Sequence, residues 1–87
     1  MSQDFYFLLM PGFSMMGFVS ALEPLRVANR FGGELYRWHI LSIDGGPVIA
    51  SNGMSVNADA ALEPLKKGAT LCVMGSVDPL KFYTSTL

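Results

Sequence analysis

Residues Phe5-Tyr6-Phe7-Leu8-Leu9-Met10 are aromatic and aliphatic throughout and run straight into Pro11-Gly12-Phe13-Ser14. An unbroken apolar run of that length suits a strand covered on both faces, and therefore a parallel sheet rather than a half-exposed antiparallel one. Pro-Gly stops the strand, and the Ser14 hydroxyl is placed to accept a free amide as the N-cap of a helix. Strand, tight turn and helix in that order form the layout of an α/β ligand site.

The helix that follows carries Met15, Phe18, Val19, Leu22, Leu25, Ala28 and Phe31 at steps of three and four, the stripe of a helix lying on a sheet, and Gly32-Gly33 ends it. Pro24 falls inside it, so the sequence predicts a kink or a restarted helix near residues 20–23. Tyr36 to Ile43 is rich in strand formers and completes a βαβ unit. Asp44-Gly45-Gly46-Pro47 reads as a turn. Val48 to Ser51 and Met54 to Val56 flank Asn52-Gly53, a strong hairpin signal. Asp59 to Lys67 reads as a short helix closed by Gly68, and Ala69 to Met74 as a second buried strand ended by Gly75.

Ala-Leu-Glu-Pro-Leu occurs at Ala21 to Leu25 and again at Ala61 to Leu65. The flanks of the two copies do not match, so they are a coincidence of helix-forming residues rather than an internal repeat. The alternation of elements calls for a further helix after Ala69 to Met74, and the strands outnumber the helices able to cover them. Residues 1–87 therefore read as the first part of one larger α/β domain.

Six basic and seven acidic residues give a net charge of −1 with no run of either sign, so the chain shows no electrostatic footprint for nucleic acid. Cys72 is the only cysteine, which rules out an internal disulfide and fits a reducing compartment. The N-terminus lacks the order of a signal peptide, and the longest apolar run falls short of the ~20 residues that span a bilayer. The expectation is a soluble, cytoplasmic protein with no membrane partner.

In open parallel sheets, ligands sit beyond the carboxyl ends of strands whose connections depart in opposite directions. If the strands at Phe5 and Ala69 are neighbours, their exits bring Gly12, Phe13 and Ser14 beside Gly75 and Ser76, with an anion favoured at the helix N-terminus. The alternative is that Pro11-Gly12 is only a turn and Ser14 only a cap. Met15 and Met16 suit either an adaptable pocket wall or core filling, and Phe13 suits either a ligand or a subunit interface. His39 has no Cys, Asp or Glu at metal spacing and reads as structural. Cys72, inside Leu71-Cys72-Val73, reads as an inert buried thiol. Glu23 and Glu63 read as solvated, and Arg26 with Arg30 as a polar helix face. No metal site, cofactor or catalytic residue is expected.

Residues 7–14, residues 20–29, the stretch from Tyr36-Arg37-Trp38 to Ser51-Asn52-Gly53, and Leu71 to Gly75 together resemble one family. It is the N-terminal domain of AraC-type transcriptional regulators whose sensor half has the PfpI-like, class I glutamine amidotransferase-like fold. The most specific parts are Pro11-Gly12-Phe13-Ser14 and Ala21-Leu22-Glu23-Pro24-Leu25-Arg26. The resemblance implies a flavodoxin-like, three-layer α/β sandwich with a mostly parallel sheet. It also implies homodimerisation, recognition of a small effector such as an amino acid or quaternary amine, and DNA binding through a C-terminal helix-turn-helix domain outside this chain.

Enzymes of the wider superfamily place a glutamate soon after the first strand, where this chain has Gly17. Gly75 and Ser76 match the turn that lines their pocket. The resemblance therefore implies a non-catalytic, metabolite-sensing domain with ligand contacts from Gly12, Phe13, Ser14, Met15, Gly17, Gly75 and Ser76. The alternative within the same fold is a cysteine-dependent amidase or peptidase, and outside it a purely structural dimerisation module.

Overall fold

A computed structural model describes residues 3–75. The chain order is β1 (Gln3–Leu9), α1 (Met15–Gly32), β2 (Tyr36–Ser42), β3 (Val48–Ile49), β4 (Ser55–Val56), β5 (Ala60–Ala61) and β6 (Thr70–Met74). The main sheet has the order β5-β2-β1-β6, and each of its pairings is parallel. β1 therefore lies in the interior, as its unbroken apolar sequence requires, with Phe7↔Ile40 on one side and Phe7↔Cys72 on the other. β3 and β4 form a separate antiparallel hairpin, with Val48 opposite Val56.

Alternate residues of the sheet divide its two faces. Phe5, Phe7 and Leu9 join Trp38, Ile40, Cys72 and Met74 around Phe18, Ala21, Leu22 and Leu25 of α1. Phe13 enters this core from the loop before α1, and Phe18 stands edge-on to both Phe7 and Phe13, with ring centroids 5.6 and 5.9 Å away. Such edge-to-face pairs add to the gain from burying the rings. Val48 and Ala50 of the hairpin complete the core at the carboxyl end of the sheet.

The opposite face is mixed. Leu8 and Leu41 are buried, and Tyr6 stacks on His39 at 4.6 Å. Asp4 gathers three side chains: the cations Arg37 at 3.2 Å and Lys66 at 3.0 Å, and the His39 ring, whose Nε2 lies 3.1 Å away. These contacts tie β1, β2 and the segment before β6 to one carboxylate. Its pKa falls from the ordinary 3.8 to about 2, chiefly through the hydrogen bond with His39 and then that with Lys66.

The sequence expectations change at three places. α1 is one continuous helix through Pro24, without a restart near residues 20–23. Proline removes only the bond to the Ser20 carbonyl, and both residues are exposed, so water can serve that carbonyl in place of an amide. Residues 59–67 are not a helix. The Asp59 amide donates to the Ile40 carbonyl, Ala60 and Ala61 pair with Leu41 and Ser42, and the Leu62 amide donates to the Ser42 carbonyl, all of which hold the backbone extended. Pro64 then disfavours helical geometry at Glu63.

β6 is also less buried than its sequence suggests: Leu71 and Val73 are 42% and 57% exposed, while Cys72 and Met74 face the core. The two Ala-Leu-Glu-Pro-Leu copies take unrelated conformations, one in mid-helix and the other passing from a strand into irregular chain.

Candidate functional site

β1, β2 and β6 all end at the same side of the sheet, and connections diverge there because β2 lies on one flank of β1 and β6 on the other. This is the position at which open α/β sheets receive ligands. The Met10 amide donates to the Met74 carbonyl over 3.1 Å, so the Pro11–Ser14 loop and Gly75 leave from adjoining strands at one end of the fold. Ser76 lies outside the described residues.

Several groups on this rim are already engaged. Gly12 is buried at φ 79°, a conformation that side chains resist, and its amide donates to the Ile49 carbonyl over 2.8 Å. The Phe13 ring is 0% exposed and belongs to the core, while its carbonyl accepts from the Ser51 amide over 2.8 Å. Ser14 caps α1, its Oγ accepting from the Gly17 amide over 3.1 Å. Met15 packs against the core, but Met16 is 80% exposed beside it. At Gly75 a side chain would meet open space. The rim thus presents Met16 and Gly75 to the outside, with the ring of Phe13 turned inward and the Ser14 oxygen engaged by the cap.

On the β2 flank of the same rim lies a cleft of about 340 Å³. Leu9 and Pro11 at the exit of β1 and Val48 and Ile49 of the hairpin form apolar walls; Ser42, Ile43, Asp44 and Pro47 line the exit of β2. Ser42 Oγ donates to the Gly46 carbonyl over 2.8 Å, and Asp44 Oδ1 accepts from the Gly46 amide over 2.9 Å. The turn packs so closely on β5 that a Cβ at Gly45, φ 83°, would lie 3.2 Å from the Ala61 amide nitrogen. Sequence reasoning treated Asp44-Gly45-Gly46-Pro47 as a turn and missed its place on the cleft. The available signal was the buried-polar position Ser42 at the end of a parallel strand.

Cys72 faces the helix side of the sheet, and His39 faces the other side, where it joins Asp4. Among the described residues no group of three or more His, Cys, Asp or Glu is placed to hold a metal ion. Glu23 is half-buried and pairs with Arg26 along the helix rather than standing alone in solvent. No helix among the described residues is long and apolar enough to cross a membrane.

No protein-family profile matches the chain. Over all 87 residues it is 71% identical to the HTH-type transcriptional regulator CdhR of Pseudomonas aeruginosa, of which it spans 26%. Among solved structures, an AraC family transcriptional regulator from Pseudomonas putida superposes with a TM-score of 0.78 at 28% identity, over 86% of this chain and 48% of that one. Along its length the chain is thus similar to transcriptional regulators of the AraC type. The fold is shared more widely: the DJ-1 superfamily protein Atu0886 from Agrobacterium tumefaciens matches with a TM-score of 0.64 at 22% identity, over 91% of this chain and 40% of that one. The chain thus spans about a quarter of the curated AraC-type relative and about half of the solved one.

Proposed function

We propose that this chain is the effector-sensing portion of a cytoplasmic AraC-type regulator, binding a small metabolite without transforming it. The observation that carries the reading is its 71% identity, along its whole length, to a transcriptional regulator. The glycine at position 17 supports the non-catalytic part, because the resemblance puts it where the superfamily's enzymes carry a glutamate. The effector sits at the carboxyl end of the sheet, between the Gly12–Gly17 loop and helix start and Gly75 at the exit of β6, with the adjoining cleft over Leu9 and Ser42 as its apolar extension. Amino acids and quaternary amines are the classes to test. The domain forms a homodimer, and DNA is read by a helix-turn-helix domain outside these residues.

Thermal unfolding of the full-length regulator against a panel of amino acids and betaines tests the proposal. A ligand at a hundred times its dissociation constant stabilises by about 2.7 kcal/mol, which is readily measured. If none of the panel raises the melting temperature, the sensing role is rejected for these classes.

A further inference from the structure

Over residues 36–40 the outer edge of β2 is met by Asn29 and Asp59 rather than by a strand. β5 pairs only with Leu41 and Ser42, so residues 36–40 run beyond the end of β5. In a strand the N–H and C=O of one residue point to the same side and those of the next residue to the other. The Gln3 amide donates to the Leu35 carbonyl, so odd-numbered residues here face β1 and Tyr36, Trp38 and Ile40 face outward.

Two of these three are met by groups that imitate a neighbouring strand. The Asn29 carboxamide accepts from the Tyr36 amide through Oδ1 at 2.9 Å and donates to the Tyr36 carbonyl through Nδ2 at 2.8 Å. Asp59 accepts from the Ile40 amide through Oδ2 at 2.8 Å and donates its own amide to the Ile40 carbonyl at 2.7 Å. Trp38, between them, has no such partner among the described residues. It opens instead into a shallow hollow of about 370 Å³ that Asn29 and His39 help to line.

We propose that Asn29 and Asp59 guard this edge against strand addition by a second copy of the same chain. The edge is self-complementary: about a two-fold axis through Trp38, Tyr36 of one copy falls opposite Ile40 of the other, and each Trp38 meets its counterpart in a hydrogen-bonded pair. Residues 36–40 number five, close to the usual length of a strand. Among the described residues, the two guards occupy the two outer positions of that register and leave only its centre open. One open residue is too little for a ladder, and natural sheets commonly protect exposed edges in comparable ways.

The test uses the full-length protein. In the wild type, amide hydrogen exchange should be slow at Tyr36 and Ile40 and fast at Trp38; a Trp38 amide as protected as its neighbours overturns the proposal. Sedimentation velocity over rising concentration should show Asn29→Ala and Asp59→Ala shifting to larger species than the wild type, with Trp38 gaining protection as they form. Asp59→Asn keeps an acceptor for Ile40 and should sediment as wild type. Asp59→Ala alters an exposed side chain away from the helix, so it answers the question even if Asn29→Ala unfolds. Alanine variants that retain native circular dichroism and remain at wild-type size throughout overturn the proposal.

Discussion

The Gly12 amide donates to the Ile49 carbonyl over 2.8 Å, fastening the loop after β1 to the first strand of the hairpin. The next peptide repeats the attachment, with the Phe13 carbonyl accepting from Ser51. The hairpin is thereby part of the core rather than an appendage, since Val48 and Ala50 pack with Phe13 beneath these bonds. The rim where a ligand was expected is thus held rigidly, and its backbone donor at Gly12 is already engaged.

Truncating Phe13 should therefore act on stability first. Phe13→Ala removes a ring with no exposed surface and should destabilise the protein by about 3 to 5 kcal/mol, as other large-to-small core changes do. Denaturant unfolding of the full-length variant checks this. A change under 1 kcal/mol accompanied by lost effector binding would instead return the ring to the ligand.

Gly17 is the third residue of α1, following the Ser14 cap, and no acidic residue stands in the first turn. A Cβ there would come no closer than 3.4 Å to the Ser14 side chain, so the helix has room for a longer residue. Gly17→Glu supplies a better helix former, completes a capping box with Ser14 and places negative charge at the positive end of the helix. A gain of about 1 kcal/mol is expected from these effects. Chemical denaturation measures it, and a loss of stability would show that position 17 needs its glycine for something other than the helix.

The side chains gathered around Asp4 make a prediction with a definite sign. Its carboxyl group titrates lower in the folded chain, at about 2, than its ordinary 3.8. The stabilisation is therefore complete above the ordinary value and lost as pH falls from about 4 toward about 2. Unfolding free energies of the wild type should decline more steeply across that window than those of Asp4→Asn. Parallel pH profiles would remove Asp4 from the account.

Much of the sheet was legible because it was written in local patterns. Phe5 to Met10 announced an interior strand, the stripe from Met15 to Phe31 announced α1, and Asn52-Gly53 announced the hairpin. Residues 59–67 were misread because their conformation is imposed from outside, by Ile40, Leu41 and Ser42, none of which lies nearby in sequence. The same reason hid the guards at Asn29 and Asp59, whose partners are seven and nineteen residues away. The two apolar runs foretold that β1 and β6 are neighbours, but the inward ring of Phe13 depends on Phe18 and the hairpin, which no local pattern encodes.

The twin pentapeptides, one coiled in α1 and the other leaving the end of β5 as irregular chain, carry a practical consequence for anyone recombining this protein. Five residues cannot nucleate a shape unaided in water. Exchanging the words alone would change nothing, since the letters are identical, and at the second site even the flanks would not carry the shape without Ile40, Leu41 and Ser42. What distinguishes the sites is their surroundings, and chimeras should be cut where those surroundings travel with the segment.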